Sequence, residues 1–444
     1  MNRLSRAPMM RTTHDRTGTL LRLGGGAAAL TLAALAAAAP YSHAGEPATP
    51  HNEQVALVNG SDAQPEQTKS DISGTAQVVS ATGEYVVFST AAALVPWDRN
   101  GTDDVYLRSR ADGVTVLVSG RGRRAGNDAS FEPTISSDGR YVAYTTWSTN
   151  LAKGTRKGAL DVVVRDMHGS RTVLASTSAS GVRGKGNAFS PVISGNGRHV
   201  AFQTFLALGR RDRDRHEDVY VRNLRRGVTK QVSLRPGSNR DVAGPLLVGD
   251  VSDNGRLITF GNSESLWVRD MTKGRTTRFH HEPRTAQCVP FEEMASAGRP
   301  VISGNGTYVA FSSCARALVG ADARSEIFRM SLATKKIERL TYGDADSYLP
   351  SLSRNGRYLA FGSEASNLVS GDTEGQPDVF HLDTATGLIQ RVSQGPDGAG
   401  GRQMSGTHAV AINGNGRAVA YHSYADNLVA GDESDYDEVF VWFG

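Results

Sequence analysis

Short apolar runs alternate with polar residues along most of the chain, and at intervals the alternation reverses around a glycine. The segments VVSATGEYVVF (78–88), TISSDGRYVAY (134–144), VISGNGRHVAF (192–202), DVSDNGRLITF (250–260), VISGNGTYVAF (301–311), SLSRNGRYLAF (351–361) and AINGNGRAVAY (411–421) are copies of one phrase. An apolar run, a turn signal and a second alternating run predict a β-hairpin in each. Six of the seven turns read Asp-Gly or Asn-Gly, which predicts a two-residue turn with positive φ at both central residues; the first reads Thr82-Gly83 and departs. The third residue of the second run is Val87, Ala143, Ala201, Thr259, Ala310, Ala360 or Ala420. Side chains this small let a neighbouring sheet pack close.

The anchor glycines Gly83, Gly139, Gly197, Gly255, Gly306, Gly356 and Gly416 recur every 50 to 60 residues. Downstream of each comes a third strand, such as DVYLR (104–108), DVVVR (161–165) or EVFVW (438–442), and after six of them a fourth, such as VTVLVS or TKQVSL. Four antiparallel strands in each of seven units predict an all-β, seven-bladed β-propeller. The seventh unit stops after its third strand, and EQVALVNGSD (53–62) reads like KQVSLRPGSN (230–239). An N-terminal strand within 45–62 is therefore expected to complete the last blade and close the ring, making 45–444 one domain.

The phrase S-x-[DN]-G-R-Y-V-A-F, followed by N-L-V-x-G-D and D-V-F-V-R-D, resembles the TolB-type, WD-like β-propeller repeat of exported bacterial proteins. The resemblance spans nearly all of 45–444 and implies the propeller fold; propellers host many activities, so function does not follow from it. TolB itself carries an α/β domain before its propeller, whereas about 30 residues separate position 44 from the first anchor here. TolB's own lipoprotein and colicin partners are accordingly not implied.

Composition changes this picture in three ways. Residues 1–44 hold five Arg, the apolar run LGGGAAALTLAALAAAA and then Ser42-His43-Ala44, the layout of a cleaved signal peptide, so a secreted or extracytoplasmic protein without a stable membrane span is expected. Without that segment the chain carries 44 basic and 44 acidic residues, which removes net charge as an argument for nucleic acid. The charge is nonetheless uneven: 120–240 holds 22 basic against 9 acidic residues, and 341–444 holds 5 against 14. A basic arc over blades two and three is expected, with Arg210, Arg211, Arg213 and Arg215 as candidate binding residues for an anionic polymer or acidic protein face. Cys288 and Cys314 are the only cysteines and are expected to form one disulfide in an oxidising compartment.

No nucleophile elbow, zinc-protease helix or phosphate loop occurs, so no catalytic residue is assigned. His280-His281, followed by Glu282, is the only histidine pair and is placed in a long loop. Between second and third strands, oxygen-bearing residues recur: Asp98, Asn100, Asp104; Asp212, Asp214, Asp218; Asp372, Glu374, Asp378; Asp432, Ser434, Glu438. Such spacing suits structural calcium, and the same residues serve equally as turn acceptors. No other cofactor is implied. The expected function is a monomeric, non-catalytic binding scaffold for a protein or an anionic cell-envelope polymer. The alternative is an extracellular carbohydrate- or peptide-processing enzyme at the axial channel, for which Glu132, just before the first strand of blade two, is the residue to inspect.

Overall fold

The computed structural model describes residues 50–57, 70–72, 77–181, 186–209, 216–238, 240–242, 246–262, 264–281, 299–320, 324–373, 375–432 and 436–444. All lie in the unit Gly45–Gly444, so the expected signal segment falls outside them. They form seven four-stranded sheets, each a blade of antiparallel strands. In blade two the strands run from the axis outwards as Ser130–Ile135, Tyr141–Thr146, Asp161–Asp166 and Arg171–Leu174. Six blades follow this chain order. The seventh borrows its outermost strand, His51–Gln54, which pairs with Glu438–Phe443 in the register His51↔Phe443 to Gln54↔Phe440. This strand sits where Val228–Gln231 sits in blade three, as the likeness of EQV to KQV requires.

The closing strand is held by side chains as well as its ladder. Asn52 donates to the carbonyls of Val392 and Gln394 in blade six at 3.0 and 2.8 Å, and accepts from the Tyr421 hydroxyl at 2.8 Å. Arg110 of blade one forks onto Glu53 at 2.9 and 2.7 Å. One strand thus touches three blades.

The anchor turns differ from expectation. Among the described residues only the glycine of each turn has positive φ; Asp138, Asn196 and their counterparts do not. The reason lies in the serine before them. In blade two Gly139 N donates to Ser136 O, Arg140 N to Asp138 Oδ1, and Tyr141 N to Ser136 Oγ, at 2.9, 3.0 and 2.9 Å. The loop is a four-residue one in which the Asp or Asn side chain supplies the acceptor that a tighter turn would take from the backbone.

Blades pack through these turns. The residue opening each second strand lies on the anchor glycine of the next blade: a Cβ built on Gly356 would come within 2.6 Å of the Tyr308 ring, and at Gly139, Gly197 and Gly416 it would overlap Tyr85, Tyr141 and Tyr358. The small residues Val87, Ala143, Ala201, Thr259, Ala310, Ala360 and Ala420 are all fully buried. Within blades, aromatic pairs bridge second and third strands, such as Phe88 on Tyr106, Phe260 on Trp267 and Phe361 on Phe380, with centroids 5.3 to 6.0 Å apart. Cross-strand aromatic contacts of this kind add about 0.5–1.5 kcal/mol each beyond area burial.

A closed rim of hydrogen bonds circles the axis at the anchor-turn end. Ala81 N donates to Ser137 O, Ser137 N to Gly195 O, Asn196 N to Asp253 O, Asp253 N to Gly304 O, Asn305 N to Arg354 O and Arg354 N to Gly414 O, all at 2.8–3.0 Å. The last link, back to Ala81 O, comes from the Asn413 side chain at 3.2 Å. Asn413 stands where every other anchor has serine, and its Oδ1 also accepts from Ala418 N, the serine's usual role.

Candidate functional site

Each innermost strand turns one edge to the axis, where no ladder partner is needed. Pro133, Pro191 and Pro350 sit within these strands for that reason. The edges line a narrow axial cavity of about 50 Å³ with residues from every blade. Its waist is apolar: Val79, Ile135, Ile302, Leu352 and Ile412.

On the side of the waist toward the long loops, Gln77 of blade one donates across the axis to Asp250 Oδ1 of blade four at 2.6 Å. Asp250 also accepts from Val251 N at 2.7 Å and from Ile302 N at 3.2 Å. Burial pushes its carboxyl up to about 7, against these hydrogen bonds, which pull it down. Toward the rim, Asp253 of blade four and Arg354 of blade six meet at 2.7 Å. Gly304 of the intervening blade makes room, since a Cβ there would come within 2.6 Å of the Asp253 carboxylate. Burial raises Asp253 despite the guanidinium. The axis therefore carries two polar crossbars with an apolar collar between them.

Glu132 does not line this cavity. It occupies a bulge in its strand with φ of 52°, a left-handed conformation costly for a side-chain-bearing residue, and Ser190 and Leu349 do the same in blades three and six. Its carboxylate accepts from Thr145 Oγ1 at 2.7 Å, Ser190 N at 2.8 Å and Ser190 Oγ at 3.2 Å. Arg299, whose guanidinium burial drives down and Glu132 draws up, approaches Ser190 Oγ at 3.3 Å. Glu132 thus joins blades two and three, and its acceptor capacity is taken by them.

The aspartate loops are brought together only in part, because Asp212, Asp214, Glu374 and Ser434 lie outside the described residues. In blade one Asn100 Nδ2 donates to Asp104 Oδ2 at 2.6 Å, Asp98 accepts from the Tyr106 hydroxyl, and Asp104 accepts from Ser119. Burial, with Asp98 beside it, pushes Asp104 up to about 7, while Ser119 and Asn100 pull it down. In blade six Arg391 stands 3.7 Å from Asp372 and 3.6 Å from Asp378. In blade seven Glu438 accepts from Gln54 at 2.7 Å, and Asp432 is buried nearby in sequence; Asp218 of blade three accepts from Ser233 Oγ at 2.5 Å. Among the described residues no group of three or more Asp, Glu, His or Cys is arranged to hold a metal ion.

His280 and His281 end the strand Arg275–His281, not a loop, and strand alternation separates them. His280 packs on Phe311 at 4.8 Å between centroids, and His281 Nδ1 lies 3.0 Å from Ser265 Oγ. Arg210, Arg211, Arg213, Arg215 and Cys288 lie outside the described residues; Cys314 is buried at the end of a second strand. Sequence reasoning missed one cluster altogether. His422 is fully buried with Nδ1 3.1 Å from Asp437 and Nε2 3.1 Å from Asp71, linking blade seven to the innermost strand of blade one. Ile72 N also lies 2.9 Å from Nε2, an arrangement suited to a neutral ring. Two carboxylates outweigh it, and despite burial they raise the imidazole to about 9.

No family model matches the chain, and no curated protein matches it in sequence. Solved structures do. The oligogalacturonate lyase of Vibrio parahaemolyticus superposes with a TM-score of 0.53 at 12% identity over 89% of this chain and 97% of that one. The likeness is one of fold. A prolyl endopeptidase matches at TM-score 0.50 and 11% identity, over 84% of this chain and 50% of its own, and TolB of Acinetobacter baumannii at 0.41 and 13%, over 70% and 64%. The repeats that resemble the TolB type are the blades of a seven-bladed propeller. Among the described residues no helix is long and apolar enough to cross a membrane.

Proposed function

We propose that the protein is a non-catalytic binding scaffold, working outside the cytoplasm, that holds a protein or an anionic cell-envelope polymer on its outer surface. The supporting observation is the engagement of the axial groups: Asp250 is held by Gln77 and two amides, and Asp253 by Arg354. Three hydrogen bonds from within the protein, one of them reaching across the axis, are the pattern of a carboxylate that ties blades together. Among the described residues that line the axis, the two carboxylates, Asp250 and Asp253, both come from blade four. The signal-like segment at 1–44 supports the location.

Sedimentation of the purified protein with its own cell envelope tests the reading. Saturable retention is expected, unchanged in a folded Asp250→Asn variant. Turnover of envelope oligosaccharides or peptides that disappears in that variant would replace the scaffold by an enzyme working at the axis.

A further inference from the structure

An open groove of about 810 Å³ runs between blades two and three at their outer margin. All four residues of blade two's outermost strand, Arg171–Leu174, line it. That strand pairs inwards with Val163↔Leu174 and Val164↔Val173, and Ala175 N donates to Val162 O. By antiparallel alternation the peptide groups of Arg171 and Val173 face the sheet, and those of Thr172 and Leu174 face the groove. Among the described residues the groove-facing amides of Thr172 and Leu174 have no backbone acceptor.

The groove is also one-signed. Lys153, Arg156, Arg171 and Arg222 line it, and no acidic residue does. Arg222 is pinned by hydrogen bonds to Ser178 O at 3.1 Å and Thr229 Oγ1 at 2.9 Å, which fixes one cation in place. Among the described residues Lys153, Arg156 and Arg171 enter no ion pair. Acids of the same blades are committed elsewhere: Asp166 to Arg140 at 3.0 and 2.9 Å, Asp161 to Ser176 at 3.1 Å, and Glu132 to Ser190.

We propose that this groove takes an extended acidic peptide segment of a partner protein as a fifth strand of blade two. The inference rests on the scaffold reading and names its site and partner chemistry. Carbonyls of the incoming strand accept from Thr172 and Leu174, and its carboxylates, spaced by strand alternation, meet the four cations. Strand addition supplies affinity through the main chain and selects through side chains. A sulfated or uronic polymer matches the charge but not the strand-spaced backbone groups, so charge and backbone can be tested apart.

The probe is a fluorescently labelled peptide of alternating Glu and Thr, followed by anisotropy on the full protein. Saturable binding is expected, weakening steeply as salt rises, by at least tenfold in Arg156→Glu/Arg171→Glu, and by at least fivefold when alternate peptide amides of the probe are N-methylated. The neutral double variant Arg156→Gln/Arg171→Gln should fall between, and both variants must match the wild type in thermal unfolding. Equal affinity for the N-methylated probe, or for dextran sulfate of equal charge, would overturn strand addition. Indifference to the double reversal would remove the site from this groove. Concentration-dependent self-association lost in the double reversal would make the occupant a second copy, docking through its acidic blades, and would overturn the peptide partner. If no probe binds while the protein still sediments with its envelope, the groove inference fails and the scaffold reading stands; if neither occurs, both fail.

Discussion

At the scale of single residues, the repeat letters each do a definable job, and some jobs are double. The anchor glycine supplies left-handed backbone, φ of 72° at Gly356, and also leaves space for the Tyr308 ring of the preceding blade. Gly356→Ala should therefore cost about 2–4 kcal/mol, the sum of left-handed strain and overpacking, read from urea unfolding. Ordinary surface substitutions should stay within about 0.5 kcal/mol. The buried His422 carries a pH signature. Its folded pKa of about 9 lies above the ordinary 6.5, so the stabilisation it contributes is complete below pH 6.5 and is lost as pH rises through 9. Unfolding free energy should fall across that window, and His422→Gln should flatten the fall. Neither glycine's second role nor the histidine clasp was legible in the sequence, because both depend on which residues of different blades meet. The anchor phrase revealed the turn; only the structure shows that Asp138 keeps negative φ and that Ser136 closes the loop.

Among the elements, the closing strand has the largest consequence for its size. Removing residues 45–57 should leave the edge of Glu438–Phe443 bare, an aromatic strand open to foreign pairing. A lower unfolding midpoint and concentration-dependent aggregation are expected in light scattering. Asn52→Ala isolates the stapling from the ladder and should cost about 1–3 kcal/mol through unsatisfied carbonyls and hydroxyl. The aspartate loops show how alike sequences diverge. Where blade six has Arg391 opposite Phe380, blade one has Leu117 opposite Tyr106. Calcium, proposed from spacing alone, is thereby disfavoured in blade six, where Arg391 already stands beside Asp372 and Asp378, and is tested most directly in blade one. There millimolar calcium should raise the melting temperature relative to chelator, and Asp98→Asn should abolish the difference; superimposed curves would leave the loop as a turn. Strand number and order were readable because the same anchor phrase recurs seven times, every 50 to 60 residues. The outermost strands were the weakest signal, and only the likeness of 53–62 to 230–239 located the seventh.

For the whole molecule, ring closure made the fold legible and left the site obscure. Seven copies of one phrase specify a propeller, whereas the axis is defined by departures from the phrase. Asp253 and Arg354 occupy the position where other anchors have Ala, Ser or Gly. That departure was visible in the sequence, but not that Gly304 would let the two side chains meet. The basic arc was likewise countable, while its groove required the strand edge and the loop of blade two to be placed together. A disulfide between Cys288 and Cys314 remains proposed; intact mass after alkylation without reductant should show no added group. The pairing of His51 with Phe443 has a mechanical meaning too. Handles attached at residues 50 and 444 would pull both strands from the same end. The four residue pairs would then open in succession like a zipper, instead of resisting together in shear. Single-molecule stretching should record a first event at low force, with the extension of a single short strand, before the rest of the ring yields.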